Sequence, residues 1–100
     1  MGMDLKPIDP SPDAPTDEYG VTWGRYNWSG WSWLVDHLNK WGVDTNEFKG
    51  MNDGDPISKE TCLKVADTIE QHLDELEPRD QKWLKDDIVL WRTCGGYEQH

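Results

Sequence analysis

One hundred residues carrying 20 acidic and 10 basic side chains, a net charge of -10, make a chain sized for one domain with one modest core. That balance argues against nucleic-acid phosphates and anionic membranes as partners, because both reward lysine and arginine, and suits a basic protein surface instead. No apolar run approaches the roughly 20 residues needed to cross a bilayer, and no basic-then-apolar secretory pattern opens the chain, so a cytoplasmic protein with its two cysteines reduced is expected.

Residues 1–18 hold Pro7, Pro10, Pro12 and Pro15, with Asp4, Asp9, Asp13, Asp17 and Glu18 among them. Few apolar groups are there to offset the entropy of ordering this stretch, so an acidic, proline-rich flexible tail is expected, and the domain proper over residues 19–100. Residues 19–28 alternate Tyr19, Val21, Trp23, then Tyr26 and Trp28. This reads as an extended aromatic strap lying across helices, or a short strand.

Residues 28–42 carry four of the seven tryptophans and both signals that bound a helix. Ser29 is the expected cap, Trp28 and Trp33 stand at the staple positions, and Gly42 is the stop, with Val43 folding back on Leu38. A capped turn over residues 44–50 and a turn-rich loop, Asn52-Asp53-Gly54-Asp55-Pro56, follow. A second helix starts at Ser58 with Cys62, Val65, Ala66, Ile69, Leu73 and Leu76 at helical spacing. Pro78 ends it and opens a third, which runs to Cys94 before Gly95-Gly96. The tight link makes the last two helices antiparallel neighbours, which sets Leu73 level with Leu84, Ile69 with Ile88, Val65 with Trp91 and Cys62 with Cys94. The expected fold is mainly α: a small three-helix bundle with an aromatic strap and a disordered N-terminal tail.

Candidate chemistry is sparse. Cys62 and Cys94 come to one end of the helix pair, but His72 lies ten residues from Cys62, on the order of 15 Å along the helix, too far to complete a metal site. Buried, reduced core thiols are the expectation. The Asn52-Asp53-Gly54-Asp55 cluster lacks the spacing of a helix-loop-helix calcium loop and reads as a turn. No glycine-rich phosphate loop and no nucleophile signature stands out, so no enzyme, no metal and no cofactor are expected.

Two placements break local rules. Trp33 projects away from the apolar arc of Trp31, Leu34, Val35, Leu38 and Trp41, on the side of His37 and Lys40; it is either roofed by the strap or Tyr97, or a recognition anchor. Asp87 sits on an apolar arc with Trp83, Leu84, Leu90 and Trp91, where a carboxylate needs donors, with indole N–H groups, Arg25 or His37 as candidates.

The combination of Tyr26-Asn27-Trp28 leading into a tryptophan-rich helix, Asn52-Asp53-Gly54 before Ile57 and a helix, and Cys94-Gly95-Gly96-Tyr97 after an aromatic helix resembles a group of small uncharacterised proteins of bacteria and their phages. The resemblance covers residues 23–99 and implies only that setting. The resulting expectation is a non-catalytic protein-binding module, in that setting an accessory or inhibitory protein acting on a host machine in the cytoplasm, whose partner presents a basic surface. Trp28, Trp33, His37, Asn52, Asp53, Asp87 and Tyr97 are the expected contact residues. The alternative is a small-ligand binder, for a metabolite or nucleotide, with an aromatic pocket walled by Trp28, Trp33, Trp91 and Tyr97.

Overall fold

Alternation of apolar and charged side chains begins at the third residue. Met3 and Leu5 point one way, Asp4 and Lys6 the other, and this period of two makes strand β1, Gly2–Pro7. The computed structural model describes residues 2–48 and 53–100. After β1 the elements are β2 (Thr16–Asp17), β3 (Gly20–Val21), β4 (Gly24–Asn27), α1 (Trp28–Lys40), β5 (Pro56–Ile57), α2 (Lys59–His72), a 3-10 turn over Leu73–Glu75, α3 (Pro78–Thr93) and β6 (Tyr97–Gln99).

Strands β4, β1, β6 and β5 form one sheet in that order, with every pair antiparallel, and β2 and β3 make a separate two-stranded ribbon. Met3 lies opposite Tyr26, Leu5 lies between Gly24 and Gln99, and Tyr97 faces both Pro7 and Ile57. Met3, Leu5, Tyr26, Ile57, Tyr97 and Gln99 are buried, while Asp4, Lys6, Arg25 and Asn27 are exposed. The sheet is therefore covered on one face by the helices and open on the other, the usual condition of an antiparallel sheet.

This overturns the expected fold class. The protein is an α/β mixture, not an all-α helical bundle, and the proline-rich N-terminal segment does not dangle: Met3 and Leu5 are 0% exposed and their strand is central in the sheet. Beyond β1, the chain over residues 8–11 runs along the end of α3, with the amides of Ile8, Asp9 and Ser11 donating to the carbonyls of Gly96, Cys94 and Thr93. The expected strap over residues 19–28 is instead β3 and β4. Strands of two to six residues were hidden because their stability comes from partners far along the chain, which no local window contains.

The helices follow the sequence more closely. Asn27, not Ser29, caps α1 by accepting from the Gly30 amide at 2.6 Å. Gly42 (φ +88°) ends the helix as expected, with the Val43 amide donating to Leu38 O at 2.9 Å. Ser58 caps α2 through the Thr61 amide, and the Glu47 carboxylate lies at the same helix start, accepting from the Ser58 amide at 3.1 Å and from the Thr61 hydroxyl. The second helix stops at His72 rather than at Pro78, with the 3-10 turn filling the gap. Arg92 on α3 reaches Asp67 and Glu70 on α2 at 2.7 and 2.5 Å, exposed ion pairs that span the antiparallel pair. Cys62, Val65, Ile69, Leu84, Ile88, Trp91 and Cys94, from the two expected stripes, are all in the core.

Because β1 is paired on both edges and its apolar side chains are fully enclosed, Leu5→Ala should cost about 2 to 5 kcal/mol of stability, the range for emptying a core leucine site. Removing residues 1–7 should abolish the cooperative unfolding transition. Circular dichroism melts of both variants test this, and a truncated chain that melts within a few degrees of the full one would show that β1 is dispensable.

Candidate functional site

Strand β4 alternates buried Gly24, exposed Arg25, buried Tyr26 and exposed Asn27, so the tyrosine enters the space between sheet and α3. There its hydroxyl donates to Asp87 Oδ2 at 2.7 Å and accepts from Trp91 Nε1 at 2.9 Å. Asp87 thus finds its donor in Tyr26, with the indole acting one step removed. Arg25 points out of the sheet, and His37 Nδ1 donates to the Trp33 carbonyl at 2.8 Å. Burial pushes the Asp87 carboxyl up to about 6, against the pull of the Tyr26 hydrogen bond and with a small push from Asp86. Burial, reinforced by Asp87, also holds Tyr26 well above the usual phenol range. The trio is a polar link inside the body.

Trp33 is half-buried within a row of rings. Its indole stacks on His37 (centroids 3.9 Å apart, planes 25° apart) and tilts against Trp83 at 5.5 Å. Trp41 meets His37 edge-on at 5.4 Å and lies parallel to His72 at 4.6 Å, while His72 Nδ1 is 2.6 Å from Glu75 Oε2. The off-face position of Trp33 is therefore covered, by Trp83 and His37 and not by a strap or Tyr97. Residues 33, 37 and 41 fall at the i, i+4, i+8 spacing that aligns side chains along one side of a helix.

The other expected contact residues scatter. Trp28 is half-buried against the core, Tyr97 is 1% exposed and packs edge-on against Trp91 at 4.9 Å, and Asp53 is exposed in its loop. Asn52 lies outside the described residues. Trp91 and Tyr97 belong to the interior, so they do not wall an open pocket with Trp33.

The most exposed aromatic group lies elsewhere. Tyr19 is 89% exposed and Trp23 37%. Tyr19 sits at the tip of the β2–β3 ribbon, where Asp17 Oδ1 accepts from its amide at 2.8 Å and Gly20 takes φ +115°, an arrangement that fixes the turn. The Thr22 amide donates to Pro15 O at 2.9 Å and closes the base of the ribbon. One side of the ribbon carries a cleft of about 280 Å³ lined by Asp17, Tyr19, Val21, Trp23 and Arg25. Its other side, with Pro15 and Thr22, faces Asp86, Val89 and Leu90 of α3 across a second cleft of about 280 Å³. The alternation of Tyr19, Val21 and Trp23 marks this stretch in the sequence, but not which of its side chains is left exposed.

Among the described residues no three histidine, cysteine, aspartate or glutamate side chains gather so as to hold a metal ion, and no helix is long and apolar enough to cross a membrane. Comparison of the chain with models of protein families, with curated proteins and with solved structures finds no match.

Asp87 gives this region a measurable signature. Its carboxyl ionises near 6 in the fold against 3.8 in the unfolded chain, so folding opposes the charged form. Below about pH 3.8 both states are protonated and nothing is lost; as pH rises through 6 the fold loses stability, on the order of 3 kcal/mol in full. Asp87→Asn keeps the shape and the acceptor for Tyr26 but cannot ionise. The stability of Asp87→Asn relative to the unaltered protein should therefore rise by that order between pH 4 and pH 7.5 in urea titrations. A difference independent of pH would show that Asp87 is well solvated.

Proposed function

We propose that the chain is a non-catalytic protein-binding module that docks through the β2–β3 ribbon, with Tyr19 and Trp23 as anchors and a lysine- and arginine-rich surface as its partner. The observation that carries this reading is Tyr19, a whole aromatic side chain 89% exposed at the tip of a fixed turn. Tyrosine and tryptophan bury large areas at little cost in ordered rotamers, which is why they dominate the anchoring positions of interfaces. A two-stranded ribbon is marginal by itself, so the tie of Thr22 to Pro15 supports a presented loop rather than a frayed one. The sign of the partner follows from the net charge of -10, to which exposed Asp13, Asp17 and Glu18 contribute on the same excursion of the chain. Such a field speeds the approach of a basic surface and repels an acidic one.

A second reading has its own observation. Arg25, Tyr26, Asn27, Gly30 and Trp83 line a cleft of about 300 Å³, the lower end of the range for small-ligand sites, and the guanidinium suits an anionic group. Calorimetry against a panel of metabolites and nucleotides tests it. Heat released by one compound, and lost in Arg25→Ala, would place this reading first.

The likeness of three motif regions to small bacterial and phage proteins makes a bacterial lysate the first place to look for a protein partner. Immobilised protein should retain a partner that Tyr19→Ala and Trp23→Ala each bind at least tenfold more weakly, the cost of truncating an anchor, while the melting temperature of Tyr19→Ala, which removes an exposed ring, stays within about 2 °C of the parent. Equal retention by all three proteins would remove the ribbon as the contact surface.

A further inference from the structure

The sheet has an edge that its own chain leaves open. In an antiparallel ladder successive residues send their N–H and C=O groups to opposite sides, so each residue of β1 bonds either β4 or β6. His100 donates to Asp4 O at 2.7 Å and Asp4 to His100 O at 3.4 Å, and the Ile8 amide donates to Gly96 O, so the even-numbered residues face β6. Met3 and Leu5 therefore bond β4, where Tyr26 and Gly24 stand opposite them. Arg25, between those two, turns its N–H and C=O away from β1, towards the outer side of the last strand in the sheet. Among the described residues neither group has a hydrogen-bond partner, and the exposed guanidinium forms no ion pair. The space beside this edge is a groove. Tyr26 belongs to the inner face of the sheet and Arg25 and Asn27 to the outer one, so the cleft of about 300 Å³ that all three line lies at the rim, with Trp83 of α3 on its helix side. Arg25 also lines the cleft of about 280 Å³ that extends past Trp23 to Asp17 and Tyr19.

We propose that the outer edge of β4 is a strand-addition site, where an extended segment of a partner protein lies as a fifth strand of the sheet and bonds the N–H and C=O of Arg25. The site rests on the reading of the chain as a protein-binding module, but not on the ribbon anchors. One residue that offers a donor and an acceptor sideways is half of a ladder, and another extended backbone completes it. The side chains of the added strand then follow from the pleat. The residue opposite Arg25 lies on the same face, within cross-strand reach of the guanidinium, and suits a carboxylate. Its two neighbours point the other way, towards Tyr26 and Trp83, and suit branched or aromatic groups. At the ribbon end of the groove Asp17, with Glu18 beside it in the chain, favours lysine or arginine. The segment is thus apolar, acidic, apolar, with a basic flank. A second copy of this chain is a poorer fit, because two chains of net charge -10 repel and a two-fold pairing centred on Arg25 sets one guanidinium against the other.

The test uses the full chain as bait for a displayed library of random peptides of about ten residues, the upper length of an ordinary strand. Enriched sequences are carried forward as synthetic peptides and titrated by fluorescence anisotropy. They should show the pattern above and bind at least tenfold more weakly to Arg25→Pro, with a smaller loss in Arg25→Ala, since only the first substitution removes the outward N–H. Arg25→Glu should reverse the charge preference, so that lysine in place of the peptide's acid restores binding. An edge strand tolerates proline where the N–H faces outward, so Arg25→Pro should still melt cooperatively. Should it fail to fold, the peptide supplies the same information with the unaltered protein: N-methylation of alternate amides should weaken binding at least tenfold, and of the amides between them about twofold or less. A library without binders, or binding indifferent to both Arg25→Pro and N-methylation, would overturn the proposal. So would a dimer of the chain in sedimentation that Arg25→Pro dissolves. Peptides lost in Tyr19→Ala but kept in Arg25→Pro would overturn strand addition and leave the ribbon as the contact surface, whereas loss in Arg25→Pro alone supports the edge and not the ribbon.

Discussion

Strand β1 has no free edge, and on that condition the rest of the structure depends. It takes hydrogen bonds from β4 on one side and β6 on the other, so the two outer parts of the sheet are connected only through residues 2–7. A central strand is the position where an unpaired backbone group would be most costly, and where the side chains of one face must all be apolar. Met3 and Leu5 meet that requirement with just two residues. Their enclosure in turn sets the height at which Tyr26 and Tyr97 stand above the sheet, because each lies in register with a β1 residue.

From that register the polar interior follows. Tyr26 reaches α3 at Asp87 and Trp91, one acceptor and one donor on successive turns of the same helix, so a single hydroxyl is satisfied twice. Gln99, 0% exposed, performs a similar office at the far side of the sheet, where its side-chain amide donates to Glu47 O and Asp55 O. Buried polar groups with several defined partners fix one arrangement of neighbouring elements more narrowly than apolar contact does. Here they fix the sheet against α3 and against the loop that leads into α2.

The helices were legible in the sequence because their signals are local. Gly42 with Val43, Ser58 with Thr61, Pro78, and the matched stripes on α2 and α3 all lie within windows of a few turns, and the structure follows them with shifts at Asn27 and His72. The sheet was not legible. Its longest strand has six residues next to a proline-rich run, and its partners start at Gly24 and Tyr97. The proline composition argued for disorder, and long-range pairing overrode it. Of the residues singled out, Asp87 did need a donor, but the donor came from the missed β4. Trp33 was rightly found off the apolar arc, yet the aromatic cover from Trp83 depends on how α3 sits, which no spacing along α1 contains. The exposure of Tyr19 had no sequence signal at all, since an alternating Tyr-x-Val-x-Trp run reads the same whichever of its side chains is covered.

The pairing of β1 with β6 joins residues 5–7 to residues 97–99 and so sets the order of events during synthesis. Helices α2 and α3 can associate as soon as both are made, since their contacts are close in sequence. The sheet cannot close until Tyr97–Gln99 has been made, and until then residues 5–7 have one of their two strand neighbours missing. Contacts of such separation make for slow closure and leave an unpaired edge exposed meanwhile. The charged and proline-bearing residues around that edge, Asp4, Lys6, Pro7 and the acidic run after it, are the kind that discourage a waiting strand from pairing with another chain. The composition that looks like a tail is thus suited to a strand whose second edge stays open until β6 is made.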